Sequence, residues 1–464
     1  MEINVQAQQT PHYDVVIVGG GATGLSLLYG LQTALSQGKI NKVMLIEKEE
    51  CAAHIPGRSI ALNLNTLSYF ANIKLNTKPA FNLLEYLAPH LQIIKNILVK
   101  NQTWQQSLIL EAKQHQVDQF GAVIDLGTLQ QELEQLLPTY LAQLQLENPQ
   151  VTVDLVKQAQ VVSCVDQQEL GAGKVLTVQD VNTKQEYTIG CSLAIIANGA
   201  KYIQGLNNYQ HFIQVVEHQQ WGAIADVTLS QPFNNLAIEF FTPHGPVAFL
   251  PKNNQQAVIV WCNRENEIKQ AQQDPRKVIA SLNQVLSNIG QNTLNTAINP
   301  QVQATKSLEA LAHQVAQETT YPYTIQAYSD LAYFKLNAQY LKQLYAPNLA
   351  YLGNAAHTLH PVSGQGFNLA ILGVQNFLTA VKQHLQANDN AKTDFANLVN
   401  PILLTYQHLH LPVTEKVFKR TNLLANEFTD TAIYGKILPN LGMFHLIAYP
   451  FLQDLIVKPS LGLS

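Results

Sequence analysis

The stretch YDVVIVGGGATGLSLLYGL occupies residues 13–31. Residues 13–19 form a short apolar run rich in β-branched side chains, the pattern of a strand buried on both faces of a parallel sheet. A glycine turn follows with the spacing Gly19-x-Gly21-x-x-Gly24, and from Leu25 the apolar positions recur at helical spacing. KVMLIEK (42–48) reads as a second buried strand. Strand, turn, helix and strand together make a βαβ unit.

In that context the glycines acquire specific tasks. Gly19 permits the tight turn, Gly21 lets backbone N–H groups approach a pyrophosphate, and Gly24 lets the helix pack closely on the strand. Ala22 and Thr23 open the helix, whose N-terminus turns its positive dipole end toward the phosphates. Glu47 ends the second strand, beside Lys48, where a carboxylate accepts hydrogen bonds from ribose hydroxyls. The pattern does not separate FAD from NAD, and Glu47 disfavours the extra phosphate of NADP at this site. A glycine turn with no ligand is the plain alternative, and the agreement of strand, glycines, helix and terminal acid argues against it.

Further along, residues 126–145 read as an amphipathic helix around Leu129, Leu133, Leu136 and Leu137. SLAIIANGA (192–200) is another apolar strand, ending in Asn198-Gly199. Between about 212 and 262 the pattern changes to alternation broken by Pro-Gly and Asn-Asn turns, as in antiparallel strands. NLAYLG (348–353) returns to the buried-strand pattern, residues 367–385 read as a helix, and residues 397–464 as mostly helical.

Bulk composition narrows the classes. With 464 residues and 47% hydrophobic content the chain supports a large core. Charged residues make up 13% and the formal net charge is -4, so no basic excess points to nucleic acid. The cysteines Cys51, Cys164, Cys191 and Cys262 lie far apart without a CxxC pair, which fits a reducing cytoplasm better than a disulfide scaffold or a zinc site. The N-terminus lacks a basic region followed by an apolar run, so no secretory signal is expected. No run of about eighteen apolar residues suggests a transmembrane helix.

A second informative stretch is GNAAHTLHPVSGQGFNLA, residues 353–370. The strand ends at Gly353, so Asn354 stands where a strand C-terminus opens onto a cofactor crevice. A loop with Pro361 and Gly364-Gln365-Gly366 leads into a helix that starts near Phe367 and Asn368, giving a second helix N-terminus with exposed N–H groups. A flat ring system needs backbone lying close to it, which the glycines allow. His357 and His360 have no accompanying carboxylate or cysteine cluster, so a metal is not expected. They serve packing, or His360 and Pro361 touch a flavin or substrate pocket.

These motifs carry a family resemblance. GNAAHTLHPVSGQGFNLA resembles the second flavin motif of the class A flavoprotein aromatic hydroxylases, and within them the ubiquinone-biosynthesis hydroxylases of the 2-polyprenyl-6-methoxyphenol type. GRSIALNLNTLSYF (57–70) is similar to the arginine-containing segment of that class, and FFTPHGPVAFLP (240–251) to part of its sheet domain. The resemblance runs from about residue 12 to the C-terminus. It implies an α/β fold: a Rossmann-like FAD-binding domain (1–75, 100–205 and 320–395), an inserted antiparallel-sheet substrate domain (76–99 and 206–319) and a helical C-terminal region (396–464).

It also implies chemistry. NADPH or NADH would reduce FAD, oxygen would add to give a flavin C4a-hydroperoxide, and that species would hydroxylate a polyprenylated phenol in ubiquinone biosynthesis. Arg58 would bridge flavin and substrate pocket, and Gln365, Gly366 and Phe367 would lie along the flavin pyrimidine. His54 and His360 are the candidate bases. Asn198 and Gly373 stand where the class usually has aspartates, which bears on reduction by the nicotinamide. A polyprenyl substrate lives in a membrane, so the expected location is the cytoplasm with a peripheral contact to the inner membrane or a biosynthetic complex. The apolar stretch 438–459 either packs on the flavin domain or offers that contact. Two other readings stay open: a flavin dehydrogenase or oxidase on the same fold, and a flavin-binding assembly subunit with little turnover.

Overall fold

A computed structural model describes residues 10–50, 57–101, 107–167, 173–199, 203–206, 212–242, 244–289, 293–294, 323–388, 394–427, 458 and 461–462. Candidate base His54 and the apolar stretch 438–457 lie outside the described residues.

An eight-stranded sheet contains five mutually parallel neighbours in the order Thr152–Val156, Lys42–Ile46, His12–Val18, Glu186–Ile196 and Leu349–Tyr351. Residues 15–18 and 43–46 are entirely buried, as their unbroken apolar runs require when helices cover both faces. The strand Glu186–Ile196 changes character along its length. Its first three residues are exposed, and its N-terminal half pairs antiparallel with Lys174–Asp180, whereas Ala194–Ile196 pairs parallel with Leu349–Tyr351.

The helix Ala22–Gly30 packs on this sheet through Leu25, Leu27 and Leu28, each fully buried or nearly so and each contributing about 1.5–3 kcal/mol. The helix Leu126–Glu147 lies against it. Asp125 caps its start by accepting from the Thr128 N–H at 2.8 Å. Two tyrosines stitch the helices, with Tyr29 donating to the Leu133 carbonyl at 2.7 Å and Tyr140 to the Leu28 carbonyl at 3.0 Å.

A second, ten-stranded sheet is mostly antiparallel, with central order Asn96–Asn101, Leu236–Thr242, Gly245–Pro251, Gln256–Arg264, Ile213–Leu229 and Ala332–Leu341. Alternation along it gives two distinct faces. Phe240, Phe249 and Trp261 share one core with Ile268, Val278, Leu282 and Leu286 of the helices Glu265–Gln273 and Pro275–Ile289. Ala237 and Phe241 point the other way: Ala237 packs in a cluster with Ala61 and Leu64, and Phe241 with Val362 and Ala425. That face therefore looks at the segments after residue 57 and around residue 362.

The second sheet reaches further along the chain than the boundaries expected at 99 and 320. Ser107–Glu111 pairs with Asn96–Asn101, and Ile325–Tyr328 and Ala332–Leu341 pair with Ile213–Leu229. Its last strand is His357–Thr358, antiparallel to Ala332–Leu341 through Tyr340↔His357. The 353–370 stretch thus leads from the end of a first-sheet strand at Tyr351 into a strand of the second sheet. The helix Gly366–Ala387 follows, and the helix Phe395–Glu427, with Pro401 and Pro412 inside it, packs beside it.

Candidate active site

The register of the parallel strands builds the site. Val18, Ile46, Ile196 and Tyr351 form one row across adjacent strands. The residues just beyond them are Gly19, Glu47, Ala197-Asn198-Gly199 and Gly353-Asn354. Segments about 330 residues apart therefore meet at the carboxyl edge of one sheet, where open α/β folds bind ligands.

Contacts between these loops are close. Gly19 has φ +111°, and a Cβ on it would lie 2.6 Å from the Ala197 carbonyl. A Cβ on Gly24 would lie 1.9 Å from the Gly19 oxygen, so glycine is obligatory there. Gly353 abuts Thr23, its Cβ position being 3.0 Å from Thr23 Oγ1, which joins the first motif to the second. By contrast, a Cβ at Gly21, Gly199 or Gly366 would meet no atom within 4 Å. Three glycines from three motifs thus leave open space along the crevice, a cradle that suits the flat and phosphorylated parts of a dinucleotide.

Both helix N-termini at the crevice are free of side-chain caps and of acidic residues in the first turn. Their N–H groups and dipoles remain available to anionic groups. Glu47 is fixed from below: its Oε2 accepts from the Gly20 N–H at 2.6 Å and its Oε1 from the Glu49 N–H at 3.0 Å. Lys48 is exposed beside it, Ala22 is buried, and Asn354 and Gly364 are exposed at the crevice. Pro361 starts the short turn Val362–Gly364, which delivers Gln365 and Phe367, both half-buried, to the helix start.

Asn368 does something the sequence did not indicate. Its Oδ1 accepts from the Asn63 N–H at 2.9 Å and from Thr66 Oγ1 at 2.8 Å. Its Nδ2 donates to the carbonyls of Ala61 at 2.8 Å and Gly364 at 3.2 Å. All of its bonding capacity in this arrangement goes to protein, so its side chain locks the strand Ser59–Asn63 to the motif helix. Arg58 is exposed at the start of that strand, next to Gly57, which packs against the backbone of Ala225 in the second sheet. The arginine therefore stands where this strand, part of a separate three-stranded sheet with Gly121–Asp125 and Gln92–Ile94, meets the second sheet.

The histidines turn out differently from a base. His360 is buried, accepts from the Val362 N–H at Nδ1 (3.2 Å), and pairs through Nε2 with Gln220 Oε1 at 3.0 Å. Accepting at Nδ1 places its proton on Nε2. Burial, and secondarily the neighbouring His218, push its pKa down to about 3. A neutral ring with both nitrogens engaged is a tie between the motif and the second sheet, which accords with the packing alternative for His360 rather than with its candidacy as a base. A β-bulge between Glu217 and Gln220 turns Gln220 toward it. His357 is buried in the edge strand, and burial pushes it down to about 4. Its neighbour His410, from the C-terminal helix, lies where a Cβ on Gly373 would come within 2.9 Å of Nε2. The space beside Gly373 is thus filled by an imidazole. Among the described residues no group of three or more His, Cys, Asp or Glu is placed to hold a metal.

Residues 12–421 match the FAD binding domain family. The chain belongs to that family. Its cofactor is accordingly FAD, which the open glycine cradle and the two uncapped helix starts accommodate. The ubiquinone biosynthesis monooxygenase COQ6 of Drosophila melanogaster is 25% identical over 99% of this chain and 92% of its own length. The 3-demethoxyubiquinol 3-hydroxylase of Escherichia coli is 22% identical over 97% of this chain and 98% of its own. The match to the Dictyostelium discoideum COQ6 protein is 26% identical but spans 48% of this chain and 44% of that protein.

Among solved structures, p-nitrophenol 4-monooxygenase PnpA from Pseudomonas putida aligns with a TM-score of 0.63 at 12% identity, covering 97% of this chain and 98% of that one. The flavin-dependent monooxygenase PieE, in complex with FAD and substrate, aligns at 0.57 with 16% identity over 90% of this chain and 64% of that one. At such identities the likeness is one of fold. The family resemblance expected from the motifs is borne out: this is a class A FAD-dependent monooxygenase fold, and its sequence relatives are ubiquinone-biosynthesis hydroxylases.

Sequence reasoning missed Glu239. It lies between Ala237 and Phe241 on the sheet face turned toward residues 57–63 and 362. The available signal was a single carboxylate inside the apolar alternation NLAIEFF.

Proposed function

We propose that this chain is an NAD(P)H- and FAD-dependent monooxygenase that hydroxylates a polyprenylated phenol of the 2-polyprenyl-6-methoxyphenol type in ubiquinone biosynthesis. The observation that carries the reading is the convergence of four strand ends on one open glycine-lined crevice, in a chain aligned along nearly its whole length with ubiquinone-biosynthesis hydroxylases. When bound and reduced, FAD supplies the oxygen-activating chemistry. The protein's own part is to grip the dinucleotide and to shape the space between its sheets. Glu47 and the first helix start serve the ribose and phosphates, Asn354 and residues 364–367 the ring system, and Arg58 the boundary with the substrate space. The second sheet's inward face, with Phe241 and Ala237, excludes water from the reacting atoms.

Among the described residues no helix is long and apolar enough to cross a membrane, so the prenyl chain would be met by peripheral contact or handed over by a partner. The visible spectrum of the purified protein and identification of the released ligand test the cofactor. Incorporation of isotopically labelled oxygen from O2 into a prenylated phenol separates hydroxylase from dehydrogenase or oxidase.

A second reading, a flavin-binding subunit with little turnover, draws support from Asn198 and from the imidazole of His410 against Gly373. Failure of the flavin-loaded protein to oxidise NADH or NADPH in the presence of the phenol would favour it.

A further inference from the structure

We propose that Glu239 holds the ring hydroxyl of the phenol substrate and takes up its proton during hydroxylation, an inference that rests on the hydroxylase reading above. With His360 locked as a neutral tie, the crevice needs another group for this task.

The placement comes from the sheet. Along the strand Leu236–Thr242, residues 237, 239 and 241 share a face, and the outer two belong to clusters on the flavin-motif side: Ala237 to the one against which Ala61 and Leu64 pack, Phe241 to the one with Val362 and Ala425. Gly364 in turn lies against Ala61, its Cβ position being 3.7 Å from the Ala61 Cβ. Glu239 therefore projects toward the junction between Ala61, Val362 and Gly364, where the helix carrying the second motif begins. Its cross-strand partners are Ala248 and Val99, neither of which offers a polar atom from its side chain.

The chemistry of the residue is unusual for structure alone. Glu239 as a residue is half-buried, but its Oε1 is sealed from solvent without a hydrogen bond, and no ion pair to it is found among the described residues. A carboxylate oxygen sealed from water without a partner opposes folding. Such a group is retained where a ligand supplies its partner. Burial lifts its pKa to about 8, which makes its carboxylate a stronger base and narrows the gap to a phenol near 10 to about two units. The other ionisable groups on this side are Cys262 next to it, the Asp226–Lys252 pair further along the same face, Arg58 in the facing segment, and His360 with its neighbour His218 beside Val362.

The proton step balances without a further reactant. The phenol O–H bond breaks, its electron pair stays on oxygen and enriches the ring, and an O–H bond forms on Glu239. When the hydroxylated ring regains aromaticity, the C–H bond breaks, its electron pair returns to the ring and the proton passes to water, while Glu239 returns its own proton to the oxygen.

The test uses the FAD-loaded full chain and a 6-methoxyphenol carrying two isoprene units at position 2. For Glu239→Gln we expect a fall in kcat/KM of about 100-fold or more, loss of the wild-type rise in activity as pH approaches 8, and more peroxide released per NAD(P)H. Glu239→Asp should restore part of the activity. Glu239→Leu should melt no lower than wild type without cofactor or substrate. Flavin spectral changes on titrating the phenol give a binding readout independent of turnover, and they should weaken in Glu239→Gln. An active wild type with a Glu239→Gln variant matching it in rate and pH profile would overturn the assignment alone. Lower melting temperatures in all three variants would make Glu239 a structural residue instead. A wild type that neither hydroxylates nor binds the phenol would remove the hydroxylase reading, and this assignment with it.

Discussion

Replacing Asn368 by alanine would break four hydrogen bonds at once, to the Asn63 N–H, Thr66 Oγ1 and the carbonyls of Ala61 and Gly364. Asn368 is buried, so water does not replace the lost partners freely. Each buried group left unsatisfied costs about 1–3 kcal/mol, and relaxation recovers part of that, so a total near 3 kcal/mol is expected. At about 2.1 cal/mol/K per residue, the unfolding entropy of a chain this size is near 1 kcal/mol/K, and Tm should fall by about 3 °C.

The same bonds hold Gly364 and the strand Ser59–Asn63 against each other, so FAD affinity should drop by about tenfold, or 1.4 kcal/mol. Asn368→Asp provides the control. It keeps both acceptances at one oxygen but turns the other toward two carbonyls, which raises the pKa of the new carboxyl in the folded state. A carboxyl with a raised folded pKa is stabilising when protonated, so this variant should gain stability relative to Asn368→Ala as pH falls toward 5. Calorimetry of the cofactor-free protein and fluorescence titration with FAD measure both quantities. If Asn368→Ala stayed within about 1 °C of wild type with unchanged FAD affinity, Asn368 would not be the clamp described.

Other expectations follow from the same geometry. Burial holds His357 at about 4, His360 at about 3 and His410 at about 3, so all three are neutral when folded and protonated when unfolded near pH 5. The unfolded chain then binds more protons, and stability should fall from pH 6.5 toward 4 with a slope of up to about 4 kcal/mol per pH unit, readable from urea melts at several pH values. A slope that does not decrease in His360→Phe would contradict its neutral burial. Gly24→Ala should abolish the fold of the first motif, because its Cβ would meet the Gly19 oxygen at 1.9 Å. Gly21→Ala should leave the cofactor-free Tm unchanged and weaken FAD binding, since its Cβ enters open space; equal Tm losses for both variants would refute the distinction. Arg58→Ala, at an exposed position, should change stability by no more than about 0.5 kcal/mol. It should still lower flavin content or turnover, and leaving both unchanged would exclude its bridging role.

The nucleotide half of the fold was legible because its signals are local. Buried parallel strands read as unbroken β-branched runs, and the glycine at 24 is dictated by the Gly19 carbonyl five residues earlier, although Gly19 itself answers to the distant backbone of Ala197. The crevice itself could be anticipated for the same reason. Pairing partners were not legible. Ser107–Glu111 and Ala332–Leu341 alternate like any half-buried strand, and nothing local tells which sheet completes them. His357 joined an edge strand through two residue pairs, too short to leave a period. His360 looked reactive because its type suggests chemistry, whereas its state follows from burial and from Gln220, 140 positions away. Glu239 was overlooked for the opposite reason: in one dimension it is a lone polar residue in an apolar strand, and only the facing segments give it a role.

The crevice has four walls, and the order in which the ribosome delivers them differs from their order in space. The first three, ending at Val18, Ile46 and Ile196, emerge in the first half of synthesis. The fourth strand, Leu349–Tyr351, and the helix start that follows it emerge only after about three quarters of the chain has been made. A nascent chain therefore exposes a partial dinucleotide groove while the second sheet is being made, but lacks the segment that would grip the ring system. With the proposed grip on the ring system supplied by residues after 349, cofactor capture would be a late event in the life of the polypeptide, and products truncated before that point should purify without FAD.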